Sequence, residues 1–420
     1  MTEKTKLLKN KQLFANKNFL KLWSSQLASQ LVIFTITFVF INKIFELTGS
    51  TIAVSLIWIF SVLPALLIAP FSSFFVDLWQ KKKILTLSNL VQALIIISYL
   101  LIQSHSYHLI YLLVFLYSLV NQFYLPAESA SIPWLVDKKS YPAANSLFLL
   151  TGQFSFVASF GLGSLFIKLA GENSVIVFGA LVLVLSSLAT AMLPKEPKNQ
   201  NLIVEQKSLF LDNLRAGWDF ILKKKRLVAL ALVLMVLFQT LAITISLILP
   251  VFSVRILSMK FADVAPILVA CLGLGIVTGA YLFGKQAKSY RKKSWISGGL
   301  LVLGLCLGLV GLIGKLNIVN KLLLVAPILF VGSLAAAFII IPAQTFVQET
   351  VPQQLRGRIF GILNALIGLG TITPTLLVAG LVDLIGVIKF ISSMGIGLVL
   401  LSFYLFKKSD QIILATSHRN

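Results

Sequence analysis

Glu128 is the residue whose type and place most invite chemistry. It stands in the apolar stretch Leu109–Leu135, seven residues from its end, and no other acid lies as deep: Asp77, Asp137 and Glu349 fall near span ends on one side, Glu46, Glu172, Asp263 and Asp383 near ends on the other. A charge at the centre of a bilayer costs at least about 2.5 kcal/mol on insertion scales, so an intramembrane carboxyl group has a function or a partner. Three readings stay open. Glu128 carries a proton or holds a cationic cargo, pairs with Lys138 or Lys139, or faces water in the mouth of a cavity. Asn121 and Leu125 share its helical face at spacings of seven and three.

Enzymatic chemistry finds no foothold. The sequence has no Gly-rich phosphate loop, nucleophile elbow or acid pair at catalytic spacing, so no catalytic residue is expected. His105, His108 and His418 are scattered, and Cys271 and Cys306 sit in separate apolar runs without a CxxC. No metal site and no cofactor are expected from that pattern. What remains is a set of neutral polar residues inside apolar stretches: Gln26, Gln30 and Thr37 early in the chain, Gln239, Thr240 and Thr244 in the middle, Gln344 and Gln348 late. Such groups contact a polar cargo or join helices to one another.

The elements that must position these residues follow from composition. With 58% hydrophobic and 12% charged residues and a mean hydropathy of +0.94, the chain of 420 residues cannot cover a soluble globule with polar surface. The net charge of +22 would suggest nucleic acid on a soluble domain, but the basic residues lie between apolar runs, which excludes that partner and makes a lipid bilayer the surroundings. A hydrocarbon core needs about 20 helical residues to cross. Twelve stretches qualify: Leu22–Ile44, Thr51–Phe75, Ile84–Ile102, Leu109–Leu135, Ala143–Leu169, Val175–Leu193, Leu227–Phe252, Val264–Phe283, Trp295–Ile313, Leu322–Phe346, Ile359–Leu381 and Gly386–Phe406. Lipid satisfies no open backbone group, so these are helices. The first is too long for a signal peptide and lacks a small-residue cleavage site, so it reads as an uncleaved span.

Assigning the connectors alternately to two sides puts Lys43, Lys168, Arg255, Lys260, Lys315, Lys321 and Lys389 on one side and all other Lys/Arg, of 36, on the opposite side. By the positive-inside rule both termini are cytoplasmic, in a multi-pass protein of the plasma (inner) membrane.

The longest polar interval divides the spans into two sets of six: residues 1–194, a linker at 195–226, and residues 227–420 with a cytoplasmic tail. In the linker, Leu211, Leu214, Trp218 and Ile221 share one helical face while Asp212, Arg215, Asp219 and Lys223 follow at spacings of three and four, which describes an interfacial helix, with a solvated linker as the alternative. The halves echo each other. Lys81, Lys82 and Lys83 recur 210 residues on as Arg291, Lys292 and Lys293, and Pro126 and Ala127 recur 216 residues on as Pro342 and Ala343. Duplicated halves of this kind are the frame of alternating-access transporters.

The quoted segments LWSSQLASQ, PFSSFFVDLWQKKKIL, LPAESASIPWLV, YPAANSL, LRAGWDFI and VPQQLRGRIFGI resemble the major facilitator superfamily, more closely its drug-efflux branch, which includes macrolide and siderophore exporters. The resemblance covers essentially the whole chain. It implies an all-α membrane protein whose twelve transmembrane helices form two pseudo-symmetric six-helix bundles, the major facilitator fold. It also implies a monomeric secondary transporter that exports a small amphipathic organic molecule by alternating access, driven by protons. A lipid or lysolipid translocator of the same superfamily is the alternative within transport; a membrane enzyme or a structural membrane protein is the alternative outside it.

Between spans two and three the superfamily's loop signature survives as Asp77, Lys81 and Lys82, with Ser73 and Leu78 replacing its glycine and arginine. The resemblance implies a cytoplasmic gate in which Asp77 meets a facing helix end or Arg356 and Arg358. It also implies a cavity on spans one, four, seven and ten, where the polar sets above fall. Three features depart from the family: Val32 to Phe34 replace a first-span carboxylate, Ser159-Phe160 replaces a Gly-Pro, and Glu128 stands where relatives more often have arginine.

Reporter fusions at Lys82, Lys207 and Lys292 are expected to report cytoplasm, and fusions near His105 and Lys315 the opposite side. A cytoplasmic signal at Lys315 would contradict twelve spans.

Overall fold

The computed structural model describes residues 13–102, 106–137, 140–194, 226–286, 292–316, 318, 320–351, 366, 375 and 377–417. Its long elements are helices: α1 (Lys17–Thr48), α2 (Thr51–Leu78), α3 (Lys81–Ile102), α4 (His108–Leu135), α5 (Tyr141–Ala170), α6 (Glu172–Ala191), α7 (Arg226–Arg255), α8 (Phe261–Gln286), α9 (Lys292–Lys315), α10 (Lys321–Thr350) and α11 (Val387–Ser417). Each of these eleven contains a segment long and apolar enough to cross a bilayer. Helices α1 to α10 fall on the first ten predicted spans and α11 on the twelfth. The eleventh, Ile359–Leu381, lies mostly outside the described residues, but 377–385 at its end are helical. The linker's amphipathic helix also lies outside them.

Local signals set the helix ends. Asn16 precedes α1, and its side-chain oxygen accepts from the backbone N–H groups of Asn18 and Phe19, two of the donors a helix start leaves open. The same amide donates to the Leu135 carbonyl at 2.7 Å, tying the start of α1 to the end of α4. Gly49 ends α1 in the left-handed region, at φ +61°, which a side chain would resist. Pro126 in α4 and Pro342 in α10 both lie inside their helices, and the alanines that follow them are fully buried.

By internal packing the chain divides into two compact units, Met1–Gly49 with Leu56–Val204, and Ser50–Ser55 with Glu205–Asn420. In the first, α3 packs on α6 and α4, while α1 packs on α5, α6 and α4. In the second, α9 packs on α11 and α10, and α7 on α10, α8 and α11. The pairings α3 with α6, α3 with α4, α1 with α4 and α1 with α6 thus return six spans later, as the duplicated sequence requires.

The two units close their seams with different chemistry. Between lipid-surrounded helices no hydrophobic force acts, so association rests on contact and hydrogen bonds. The first unit uses aromatic rings along α1 and α5: Phe34 with Phe156 at 5.3 Å and Phe38 with Phe160 at 5.4 Å between centroids. The second uses small residues. A Cβ added to Gly279 of α8 would stand 2.6 Å from the Leu334 carbonyl oxygen of α10, and one added to Gly395 of α11 would stand 2.7 Å from that of Gly304 in α9. This is the close packing that the glycine run at 273–279 implies.

Adjacent glycines in α9 provide a controlled test. A Cβ at Gly299 would meet the Ala335 carbonyl oxygen at 2.8 Å, whereas one at Gly298 meets nothing within 4 Å. Gly299→Ala is expected to destabilise the purified protein by about 1–3 kcal/mol, the cost of overpacking. Gly298→Ala is expected to be neutral or to stabilise by up to about 1 kcal/mol through helix propensity. Thermal unfolding in detergent, followed by fluorescence, compares the two.

Candidate functional site

The first unit holds a buried polar cluster where α1, α3 and α4 meet, and Glu128 lies at its edge. Glu128 is 5% exposed, and among the described residues no charged group interacts with it; Lys138 and Lys139, its alternative partners, lie outside the described residues. One helical turn earlier, on the same face of α4, Tyr124 is 1% exposed. Tyr124 Oη lies 3.4 Å from Ser25 Oγ of α1. Asn89 of α3, wholly buried, joins the rest: its Nδ2 donates to Ser25 Oγ at 3.1 Å, and its Oδ1 accepts from Ser29 Oγ at 2.8 Å.

These contacts have a reason in the local sequence. Ser25 and Ser29 are one turn apart on α1, so both point at one neighbour, and Asn89 is long enough to bridge them. The surrounding wall is apolar: Leu22, Leu85, Ala127 and Phe148 pack in one core cluster with Tyr124. In such a setting an unmade hydrogen bond costs about 1–3 kcal/mol. Among the described residues Glu128 Oε1 nonetheless has no partner, and neither does either amide atom of Gln92, 1% exposed and one turn beyond Asn89 on α3.

The other predicted positions divide. Gln26 turns into the first unit, where its Nε2 donates to the Phe148 carbonyl of α5 at 3.2 Å, so it joins two helices. Thr37 bonds back to the Ile33 carbonyl of its own helix at 2.7 Å. Gln30 and Asn121 are half-buried. In the second unit Gln239 is exposed on α7, Thr240 half-buried and Thr244 buried, while Gln344 of α10 is half-buried. Gln348 belongs to α10, but its side chain lies outside the described set. The structure therefore gathers Glu128 with residues the sequence analysis passed over, Ser25, Ser29, Asn89 and Tyr124. The signal was present: Asn89 and Gln92 interrupt a span with no other amide, and Tyr124 stands four residues before Glu128.

Among the gate positions, Lys82 caps a helix of its own unit. Its Nζ donates to the Leu193 carbonyl at 2.6 Å, and Lys21 Nζ donates to the Met192 carbonyl at 3.1 Å, so two cations meet the C-terminal end of α6. Cations at that end oppose the negative pole of the helix dipole. Lys81 is half-buried; the Asp77 side chain, Arg356 and Arg358 lie outside the described residues. At the opposite end of the unit Lys43 of α1 and Glu172 of α6 form an ion pair at 2.9 Å, beside the Asn42 to Glu46 bond. Among the described residues no group of His, Cys, Asp and Glu could hold a metal.

Comparison with known proteins places this geometry in context. The family model described as Major Facilitator Superfamily matches residues 22–374. The chain is similar to an MFS-type transporter of Bacillus subtilis (strain 168), YfiS, at 27% identity over 334 residues, 78% of each chain. It is also similar to macrolide efflux protein A of Streptococcus pyogenes, at 21% over 383 residues, 88% of this chain and 90% of that one. Among solved structures, a bacterial homolog to the human lysosomal transporter Spinster, inward-facing and occupied, aligns with TM-score 0.70 at 11% identity over 96% of this chain and 97% of that one. The nucleoside transporter NupG aligns with TM-score 0.69 at 14% identity over 93% of this chain and 99% of that one. At such identities these structures speak for the fold alone.

Proposed function

The chain belongs to the major facilitator superfamily, and from that membership we propose that it exports small amphipathic organic molecules by alternating access, driven by protons that bind at Glu128. It is an integral multi-pass membrane transporter rather than an enzyme. The observation that supports the proton reading is the burial of Glu128 without a cation among the described residues. A carboxyl group in that position is favoured neutral and costly ionised, so its proton occupancy changes whenever a conformational step opens it to water. Export of amphipathic cargo draws support from the likeness to macrolide efflux protein A.

In this proposal the protein is a monomer in the plasma membrane with both termini cytoplasmic, built as an N-terminal bundle at 1–194, a linker at 195–226 and a C-terminal bundle from 227. The neutral polar residues Gln26, Gln30, Thr37, Asn121, Gln239, Thr240, Thr244, Gln344 and Gln348 contact cargo, Gln26 also joining α1 to α5. Asp77, Lys81, Lys82, Arg356 and Arg358 act at the cytoplasmic gate.

Purified protein in proteoliposomes tests the proposal with a neutral macrolide and a cationic amphipathic dye as probes, with and without an imposed pH gradient. Glu128→Gln is expected to reduce gradient-driven export on the order of tenfold or more while leaving exchange at equal pH intact, since exchange moves no net proton. Wild-type behaviour of the variant in both assays would refute a proton site at Glu128. Movement of a labelled phospholipid in place of either probe would replace the cargo reading with lipid translocation.

A further inference from the structure

Thr35 of α1 is a hydroxyl that departs from the local rule for its type. Thr37 of the same helix bonds back to the Ile33 carbonyl at 2.7 Å, and Thr48 to that of Ile44 at 2.7 Å. For Thr35 the matching carbonyl, four residues back, is Leu31. A carbonyl oxygen has two lone pairs. The helix uses one for the Thr35 N–H, and Ser159 Oγ of α5 donates to the other at 3.1 Å. Thr35 Oγ1 has no hydrogen-bond partner among the described residues.

The same residue lines a groove where α1, α5 and α6 meet around a cavity of about 100 Å³. Val32, Ile36, Val175 and Gly179 form a buried floor, and Leu162, Phe166 and Val182 a half-buried rim. Stacked rings of Phe166 and Phe178, 5.2 Å between centroids, bridge α5 and α6 beside it. Phe178, Leu181 and Leu185 of α6 are exposed along this side, so the groove opens toward lipid.

We infer that this groove binds the alkyl chain of an alkanol-like molecule, whose single oxygen is held by Thr35 Oγ1. Apolar walls around one hydroxyl exclude water, which needs roughly two to four polar partners. An apolar cavity of about 150 Å³ holds benzene, whereas drug-sized ligands fill about 300 Å³ or more, so the groove takes the end of a chain and not a bulky cargo. A phospholipid tail would fill the walls and leave the hydroxyl open. Thr35 lies nine residues inside Ile44, about 14 Å along the helix axis, at a depth where such a tail carries no oxygen. A chain bearing one oxygen satisfies walls and hydroxyl together. Ser159 is the positioning residue, because its hold on the Leu31 carbonyl keeps Thr35 available to the ligand. Glu128 takes no part, so the site stands whether or not protons drive transport.

Photolabelling of the full-length protein in phospholipid nanodiscs tests the site. The probes are octanol with a diazirine on its chain and the matching octane without a hydroxyl, and peptide mass spectrometry locates the adducts. Octanol adducts are expected to concentrate on residues 31–36 of α1, 162–166 of α5 and 175–182 of α6. Thr35→Val is expected to lower them about fivefold, the factor of one ordinary hydrogen bond, and Thr35→Ser to retain them. Ser159→Ala is expected to lower them as well, because it returns the Leu31 carbonyl to Thr35. That variant leaves Thr35 in place and so remains informative if Thr35→Val fails to fold. The octane probe is expected to respond to none of these changes. Octanol adducts spread evenly over lipid-facing positions would overturn the site. Groove adducts that octane forms equally, or that Thr35→Val leaves unchanged, would overturn recognition of the oxygen by Thr35. Unchanged labelling in Ser159→Ala would overturn the role given to Ser159.

Discussion

Hydrocarbon offers no partner to a hydrogen-bonding group, and that shortage governs how polar residues are placed throughout this protein. A hydroxyl can meet it locally. Thr37, Ser131, Thr151 and Ser253 each bond to a carbonyl one turn back in their own helix, so they can sit on any face at little cost. Amides and carboxyl groups carry more donors and acceptors than one turn can satisfy, so they must reach a neighbouring helix. Among the described residues, Asn89 meets the requirement at both ends, Gln26 meets it at one end, and Glu128 leaves one oxygen without a partner. The residues that fail to close their bonds inside the unit are the ones with capacity left for a proton or cargo.

The same shortage explains how α1 is held. Trp23 donates to Thr151 at 2.8 Å, Ser159 to the Leu31 carbonyl at 3.1 Å, and aromatic pairs fill the spaces between, so α1 and α5 are bound along most of their length. Ser159 and Phe160 occupy the place of the Gly-Pro found in many antiporters. Here that place supplies one hydrogen bond and one ring contact to α1. Against α4, by contrast, α1 has the Asn16 bond at its start and the long Ser25 to Tyr124 contact.

The duplicated halves have kept helix pairing and changed the material that fills it. The first unit packs rings and a buried polar cluster, and the second packs glycine against backbone at Gly279, Gly299 and Gly395. Close backbone approach suits a rigid assembly, since small residues lose little side-chain entropy and leave no room for rearrangement. A polar cluster can change its hydrogen-bond pattern at nearly constant volume.

The sequence by itself determined the spans, because length and apolar content are sums over neighbouring residues and need no knowledge of what lies across the bilayer. It also determined the duplication, visible in Lys81 and Arg291 and in Pro126 and Pro342, and the depth of Glu128, which is a position along one helix. Tertiary structure alone decided which face of each helix meets which neighbour. Gln26 is an amide within an apolar span, and the packing of α1 on α5 sets its nitrogen on the Phe148 carbonyl. Lys82 has the composition of a loop charge, yet it caps α6, more than a hundred residues away. Asn89 and Ser25 become partners through the meeting of α3 and α1, a long-range contact that periodicity within either helix cannot reveal.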